Sequence, residues 1–162
     1  MKKAFITGIN GQDGSYLSEH LLAMNIEVAG LVRRSSVAEN QTYRINHLNE
    51  QIKTYYGDLI DKSSISNALE DFKPDCIFNL AAQSHVRLSF EMPCFTAQVN
   101  AIGALNVFDL VKEKFPNVKL YQASSSEMFG SSVDEDQFQR ETTPMTPVSP
   151  YGCSKLFAYS IA

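Results

Sequence analysis

The sequence predicts an α/β fold of the doubly wound type, in which a parallel sheet carries helices on both faces. Short apolar runs of strand length alternate with longer segments of helical periodicity along the 162 residues. A glycine-rich turn stands between the first apolar run and the first helical segment. Apolar residues make up 44% of the chain and charged residues 20%, so the chain can bury one core and disorder is not expected.

Five strands are predicted from the apolar runs, since each run is five or six residues long and is bounded by turn residues. They cover residues 3–7, 27–32, 52–56, 75–80 and 118–123.

Helices are predicted where apolar residues recur at spacings of three and four. They begin near Gly14, after an N-cap at Asp61, at Pro93 and near Pro150, with a short helix over residues 43–49. Residues 127–148 are rich in acidic residues, Pro, Ser and Thr and are expected to form a surface loop.

Charge and cysteine content exclude several classes of partner. The formal net charge of −4 argues against binding to a nucleic-acid backbone. Cys76, Cys94 and Cys153 follow no metal-binding or disulfide spacing and are expected to be reduced thiols. The first apolar run is too short for a signal peptide, and no apolar run reaches the length of a membrane span. We therefore expect a cytoplasmic protein without nucleic-acid, membrane or metal partners.

The turn after the first strand has the pattern G-x-x-G-x-x-G, formed by Gly8, Gly11 and Gly14. Glycines between a strand and a helix allow a tight turn and a close approach of the backbone to a pyrophosphate at the helix N-terminus. A plain tight turn is the alternative, and the strand–helix context favours the phosphate site.

Arg33 and Arg34 follow the second strand, where a fold that binds NAD would place an acidic residue about 20 residues after the glycines. Guanidinium groups suit a phosphate, so this position favours NADP over NAD. Two solvated loop arginines are the alternative interpretation.

Small or polar residues follow the third and fourth strands. Asp58 could accept a hydrogen bond from an adenine amino group, or it could cap the next helix. Residues 79–85 include small side chains that let the backbone lie against a ligand, and His85 is expected to be a hydrogen-bonded structural residue.

The fifth strand leads into a run of serines that ends at Glu127, and Tyr151 and Lys155 lie four residues apart on the last predicted helix. A serine hydroxyl can hydrogen-bond a substrate oxygen, and a neighbouring carboxylate can move protons. A spacing of four places Tyr151 and Lys155 on one helix face, where the ammonium favours a phenolate. Tyr151 is therefore a candidate base for an alcohol that loses hydride, with Ser125 orienting the same oxygen.

Taken in this order along the chain, the motifs resemble the extended short-chain dehydrogenase/reductase family, whose nucleotide-binding half is a Rossmann-type fold. The resemblance covers the whole chain and is strongest to one subfamily, the GDP-mannose 4,6-dehydratases. It rests on residues 8–17, 32–36, 79–86, 121–127 and 149–151, with Lys155.

The resemblance implies a redox-neutral lyase that converts GDP-mannose to GDP-4-keto-6-deoxymannose and water with bound NADP, in deoxysugar nucleotide biosynthesis. Tyr151 would be the base at C4, and Lys155 would favour its phenolate and hold the nicotinamide ribose. Ser125 would hold the C4 oxygen, and Glu127 would handle the C5 proton and the departing C6 hydroxyl.

The resemblance also implies the cofactor contacts. Arg33 would bind the 2′-phosphate, and Asp58 and Leu59 would bind the adenine. The pyrophosphate turn would comprise Gly8, Ile9, Asn10, Gly11, Gln12, Asp13 and Gly14, and the cofactor would be lined by Leu80, Ala81, Ala82, Gln83 and Ser84.

The chain departs from the family at Ser125, where Thr is usual, at Phe95, where Tyr is frequent, and between Ser36 and Gln51, where it matches poorly. It ends seven residues after Lys155, inside the helix of the catalytic pair. We therefore expect residues 1–162 to be the NADP-binding domain of a longer protein, inactive without its substrate domain.

Three questions remain open at this point. Family members form dimers or tetramers, and the predicted helices at 61–72 and 93–114 could pack against a partner subunit or simply cover the sheet. The activity could be that of another NAD(P)-dependent nucleotide-sugar dehydratase, decarboxylase or 4-keto reductase. The chain could also be a catalytically silent nucleotide-binding module, although such a module has no need of a complete Ser, Glu, Tyr and Lys set.

Overall fold

The computed structural model describes residues 1–33 and 42–162 of the chain. Its strands are β1 (Lys3–Thr7), β2 (Glu27–Val32), β3 (Ile52–Tyr56), β4 (Cys76–Asn79) and β5 (Lys119–Gln122). They form one parallel sheet with the order β3-β2-β1-β4-β5. The described residues therefore have the predicted doubly wound, Rossmann-like sheet.

The α-helices of the described residues are α1 (Gln12–Ala23), α2 (Lys62–Phe72), α3 (Val86–Glu91), α4 (Pro93–Ala97), α5 (Gly103–Lys114) and α6 (Pro150–Ser160). A π turn, Gln98–Ile102, joins α4 to α5, so that residues 93–114 form one continuous helical run. Two 3₁₀ turns cover Asn46–Leu48 and Ser126–Met128.

The chain forms two compact units. The first comprises residues 1–81 and 106–123, and the second comprises residues 82–105 and 124–162. The first unit contains the whole sheet, together with α1, α2 and most of α5. The second contains α3, α4, the π turn, the second 3₁₀ turn and α6, and α6 packs against the other four elements.

The strand order reverses at β1, which determines where a ligand crevice can form in the first unit. The chain runs from β1 outward through β2 and β3, and then returns to place β4 on the other side of β1. Thr7 at the end of β1 pairs with Leu31 of β2 and with Asn79 of β4. Ligands of open α/β sheets bind at such a switch point, beyond the carboxyl ends of the strands.

Alternating residues of β1 build the core on both faces of the sheet. Ile6 belongs to a buried cluster on one face, and Phe5 packs on the other against the rings of Phe72 and Tyr55, at 6.2 and 6.0 Å between centroids. The cluster around Ile6 comprises Ala4, Ile9, Leu21, Ile26, Val28, Val32, Ile45, Leu48 and Ile52. β1 is thus buried on both sides, as expected for the central strand of a parallel sheet.

All five predicted strands are confirmed. β1, β2 and β3 have the predicted bounds, whereas β4 and β5 are shorter by one residue at each end. The predicted cap of α2 is confirmed, because the Asp61 side chain accepts hydrogen bonds from the amides of Ser63 and Ser64.

The helix predictions need three corrections. α1 begins at Gln12 rather than near Gly14, because Gly11 is its N-cap. α3 was not predicted, and the expected helix over residues 43–49 is reduced to one 3₁₀ turn. The sequence also predicts a polar loop from Arg33 to Gln41, of which only Arg33 lies within the described residues.

The helical run Pro93–Lys114 is long enough, and apolar enough on average, to cross a membrane, although polar residues interrupt it and no continuous apolar run has that length. Several of its apolar side chains are nevertheless buried within the protein, among them Val99, Ala104, Val107 and Leu110. This burial is typical of the core helix of a globular domain.

Cys76, Cys94 and Cys153 are free cysteines, and burial raises the pKa of the Cys76 thiol.

Candidate cofactor-binding and catalytic site

The glycine turn of the first unit is shaped by close contacts between backbone segments. Gly8 has a φ of +70°, and a Cβ atom on it would lie 3.0 Å from the Ala81 backbone. A Cβ atom on Gly14 would lie 2.3 Å from the Gly8 carbonyl oxygen, and that oxygen accepts a hydrogen bond from the Gly11 amide at 2.9 Å. The turn therefore has no space for side chains at Gly8 and Gly14.

The residues present fit a pyrophosphate group. Gly11 is the N-cap of α1, and no side chain caps this helix N-terminus. The first amides of a helix lack intrahelical partners and carry the positive end of the helix dipole, so they bind an anion that approaches closely. The half-buried Asn10 and the exposed Gln12 and Asp13 flank the same turn.

Ile9 anchors the turn to the sheet. Its side chain is fully buried, and a Cβ atom on Gly30 of β2 would lie 2.5 Å from the Ile9 Cβ. The side chain of Ile9 therefore belongs to the core, which leaves its backbone for any cofactor contact. The need for a glycine at position 30 could not be predicted, because nothing in the sequence shows that Ile9 packs directly over this position of β2.

A buried hydrogen-bond network links the carboxyl ends of β1, β4 and β5. The Thr7 hydroxyl donates to Asn79 Oδ1 at 2.6 Å and accepts from the Ala81 amide at 3.1 Å. Asn79 Nδ2 donates to Gln122 Oε1 at 2.7 Å, and Gln122 Nε2 donates to the Ala123 carbonyl at 3.0 Å. Thr7 and Asn79 are almost fully buried, so this network fixes the strand ends from which the ligand-binding loops leave.

The residues predicted to contact the adenosine part of the cofactor lie just after β2 and β3. Arg33 follows β2 directly and is exposed, and Arg34 lies outside the described residues. Asp58 is half-buried and does not cap α2; its Oδ1 accepts from the Ile60 amide at 3.2 Å. The Leu59 side chain is buried and its carbonyl accepts from Asn106 Nδ2 at 2.8 Å, so the backbone of this segment is held in place.

The segment after β4 is divided between the units. Leu80 and Ala81 are half-buried residues of the first unit, and Ala82, Gln83 and Ser84 belong to the second. Ala82 is half-buried and Ser84 is exposed.

In the second unit, the Gln83 backbone is clamped by Asn100 of the π turn. Asn100 Oδ1 accepts from the Gln83 amide at 2.8 Å, and Asn100 Nδ2 donates to the Gln83 carbonyl at 3.0 Å. The Gln83 side chain donates to the Thr96 hydroxyl at 3.0 Å and accepts from the His85 amide at 2.7 Å. Gln83 is therefore a buried structural residue of this loop.

His85 is a capping residue. Its Nδ1 accepts from the Leu88 amide at 3.3 Å at the start of α3. The structural role expected for His85 is thus confirmed.

The four predicted catalytic residues all lie in the second unit. Ser125 precedes the second 3₁₀ turn and caps it, because its Oγ accepts from the Glu127 amide at 3.2 Å. Glu127 is half-buried within that turn. Tyr151 and Lys155 lie on α6, which starts with Pro150 and is capped by the buried Ser149.

Tyr151 and Lys155 are both buried, with exposed fractions of 8% and 5%. The Lys155 ammonium lies 5.8 Å from the centroid of the Tyr151 ring, so the predicted juxtaposition on one helix face is confirmed. Burial lowers the pKa of Lys155 below its ordinary value, because desolvation disfavours the ammonium. A buried ammonium beside a phenol stabilises negative charge on the phenol oxygen.

Gly152 brings the 3₁₀ turn and α6 together. A Cβ atom on this buried residue would lie 2.6 Å from the Glu127 carbonyl oxygen. The peptide of Glu127 therefore lies directly against the first turn of α6, next to Tyr151. Nothing in the sequence pattern indicates this role of Gly152, although the residue stands inside the Tyr151–Lys155 motif.

Comparisons with known proteins agree with this geometry. Residues 5–162 match the family model described as GDP-mannose 4,6 dehydratase. GDP-mannose 4,6-dehydratase of Vibrio cholerae is 45% identical over 99% of this chain, and GDP-mannose 4,6 dehydratase of Homo sapiens is 48% identical over 98%. The chain spans 44% of each of these two relatives, which is about half their length.

A solved structure shares the fold. The UDP-glucose 4-epimerase of Thermus thermophilus, in complex with NAD, superposes with a TM-score of 0.84 at 31% sequence identity. The match covers 98% of this chain and 49% of the epimerase chain.

Proposed function

Because the chain belongs to the GDP-mannose 4,6-dehydratase family, we propose that it is the cofactor-binding and catalytic part of an enzyme that converts GDP-mannose to GDP-4-keto-6-deoxymannose and water. The observation that carries the proposal is the arrangement of the second unit. There the Tyr151–Lys155 pair is buried on α6, and the peptide of a carboxylate residue, Glu127, lies against the same helix.

The proposed cofactor is NADP. When bound, it would supply an acceptor for the hydride of C4 of the sugar and a donor that returns this hydride to C6. The uncapped N-terminus of α1 and the glycine turn would hold the pyrophosphate, and Asp58 and the Leu59 backbone would contact the adenine. The exposed Arg33 after β2, where an NAD-binding fold would carry an acidic residue, supports NADP over NAD.

Tyr151 and Lys155 would carry out the first proton transfer. Tyr151 removes the proton of the C4 hydroxyl as the C4 hydride leaves, so that C4 becomes a ketone. Lys155 stabilises the negative charge that Tyr151 must carry, and Ser125 orients the C4 oxygen by a hydrogen bond. The proton on Tyr151 is later released to solvent.

Glu127 would carry out the elimination. The C4 ketone acidifies C5, so the carboxylate of Glu127 can remove the C5 proton. Glu127 passes this proton to the C6 hydroxyl, which leaves as water. After hydride has returned to C6, a proton from solvent is added at C5. The reaction has no net redox change, and one carboxylate serves both as base and as acid.

Turnover of a panel of nucleotide sugars tests the proposal. The intact gene product should convert GDP-mannose to a 4-keto product and leave dTDP-glucose and UDP-glucuronate unchanged. NADP should be found in the supernatant of the denatured protein. Conversion of another nucleotide sugar instead, or the presence of NAD alone, would contradict the assignment.

A Glu127→Gln variant tests the role of the carboxylate. The amide has nearly the same shape but no basicity, so dehydration should be abolished while NADP affinity stays unchanged. Affinity is measured by calorimetric titration, and dehydration by release of the 4-keto product. An unchanged turnover number would remove Glu127 from the mechanism and favour a different base.

A further inference from the structure

Gly152 stands where an alanine would be the better helix former, so its presence requires an explanation. It is in the first turn of α6, and its backbone is helical rather than left-handed. Alanine in a helix interior is favoured over glycine by about 1 kcal/mol. The local conformation therefore does not require glycine here, whereas it does at Gly8 with its φ of +70°.

The contacts around Gly152 explain the absence of a side chain. A Cβ atom would lie 2.6 Å from the Glu127 carbonyl oxygen, 3.3 Å from the Glu127 carbonyl carbon and 3.0 Å from the Pro147 Cβ. Real Cβ atoms essentially never approach other heavy atoms within 3.0 Å. The clash is with backbone, so no side-chain rotation relieves it, and the Glu127 peptide would have to move by at least 0.4 Å.

The α6 side of this contact is held firmly. Gly152 donates its amide proton to the buried Ser149 Oγ at 3.0 Å, and Pro150 fixes the first helical position. The displacement therefore falls on the 3₁₀ turn of Glu127 rather than on Tyr151.

The 3₁₀ turn transmits such a displacement to two site residues. The Glu127 amide donates to Ser125 Oγ, and the Glu127 carbonyl accepts from the Gly130 amide at 3.3 Å. A shift of the Glu127 peptide thus moves the Glu127 carboxylate and disturbs the Ser125 hydroxyl. Tyr151 and Lys155 keep their mutual placement, because both lie on α6.

We propose that Gly152 is a positioning residue that sets the distance between the Glu127 carboxylate and the Tyr151 hydroxyl. This inference rests on the proposed function, in which Glu127 acts at C5 and C6 and Tyr151 at C4. A glycine at this position lets two proton-transfer groups from segments 24 residues apart act on neighbouring carbons of one sugar ring. The elimination step depends on it, and cofactor binding does not.

The test is a Gly152→Ala variant of the intact gene product, with Cys153→Ala as the matched control. Cys153 is the next residue of α6 and is exposed, so its replacement changes the same helix without a backbone clash. A misplacement of part of an ångström can reduce turnover by tens of times, so kcat of G152A should fall at least about tenfold. KM for GDP-mannose and Kd for NADP should stay within about twofold of wild type, which a general loss of structure would not allow.

A second readout isolates the elimination step. If elimination is the slowed step, the kinetic isotope effect of deuterium at C5 on kcat should rise in G152A while that of deuterium at C4 should not, and C153A should match wild type in every measurement. The melting temperature and NADP affinity show whether G152A is folded.

Each outcome decides the proposal. An unchanged kcat in folded G152A would overturn it, as would a fall in kcat with a larger isotope effect at C4 than at C5, or equal losses in C153A. Failure of G152A to fold would also overturn it, because the glycine would then serve folding alone. Failure of the proposed function is distinct, since it would appear in the wild-type protein as absence of GDP-mannose turnover.

Discussion

A Gly14→Ala substitution probes the glycine turn directly, and its effect can be worked out from the contacts. The new Cβ atom would lie 2.3 Å from the Gly8 carbonyl oxygen and 2.8 Å from the Ile9 Cα. Reaching even 3.0 Å from that oxygen requires a movement of at least 0.7 Å. Overpacking of this kind destabilises the fold by about 1–3 kcal/mol, whereas the higher helix propensity of alanine stabilises it by about 1 kcal/mol. We therefore expect the free energy of unfolding to fall by about 1 kcal/mol.

The loss of cofactor affinity should be larger than the loss of stability. The Gly8 carbonyl oxygen accepts a hydrogen bond from the Gly11 amide, so its displacement should turn the amides at the start of α1 away from the proposed pyrophosphate position. A hydrogen bond to a charged group contributes about 1.5–3 kcal/mol, and each 1.4 kcal/mol corresponds to a factor of ten in Kd. Impairing one such bond predicts a Kd for NADP that is tenfold to a hundredfold weaker.

Calorimetric titration of NADP and thermal unfolding of the intact gene product measure the two effects. Ala68→Gly in α2 is the matched control, since losing a buried methyl group and helix propensity costs about 1–2 kcal/mol. The control leaves the glycine turn intact and should bind NADP like wild type. Wild-type affinity in folded G14A, or equal affinity losses in both variants, would exclude the glycine turn as the site that binds the cofactor phosphates.

Two further predictions concern buried polar groups. Because burial lowers the pKa of Lys155 in the folded state below its ordinary value of 10.5, the unfolded chain holds this proton more tightly and stability rises with pH up to that value. The Lys155→Met variant should therefore have a higher free energy of unfolding than wild type at neutral pH, as measured by urea unfolding. This difference should shrink toward pH 10, and a difference that does not change with pH would contradict a lowered pKa of Lys155. Thr7→Val should leave Asn79 Oδ1 and the Ala81 amide without their shared partner and cost about 2–4 kcal/mol, whereas Thr7→Ser should cost only about 1 kcal/mol for the lost methyl group. Equal urea midpoints for the two Thr7 variants would show that the network adds no stability.

The sheet could be predicted from the sequence because each strand is a short apolar run between turn residues. β1, β2 and β3 match their predicted bounds, and the parallel arrangement follows from the alternation of strands and helices. The start of α1 was placed two residues late, since Gln12 and Asp13 in its first turn are exposed and show no apolar periodicity. α3 is only six residues long, and the His85 cap determines where it begins. A helix this short shows no recurring apolar pattern from which it could be predicted.

The helix face shared by two of the candidate catalytic residues could be predicted from the sequence, but the contacts that hold the candidates in place could not. The spacing of Tyr151 and Lys155 determines a shared helix face, and the structure confirms it. The clamp of Asn100 on the Gln83 backbone joins positions 17 residues apart and accompanies a π turn, which depends on tertiary contacts. The approach of Gly152 to the Glu127 carbonyl is likewise visible only once the loop between them is folded.

In the proposed reaction, hydride leaves C4 and returns to C6 of the same sugar while Glu127 exchanges the proton at C5. Incubating the intact gene product with GDP-mannose that carries deuterium at C4 tests it most directly. With the reaction run in deuterated water, the product should be a 4-keto-6-deoxy sugar with the substrate deuterium at C6 and a solvent deuterium at C5. A product without deuterium at C6, or a 4-keto sugar that keeps its C6 hydroxyl, would contradict it.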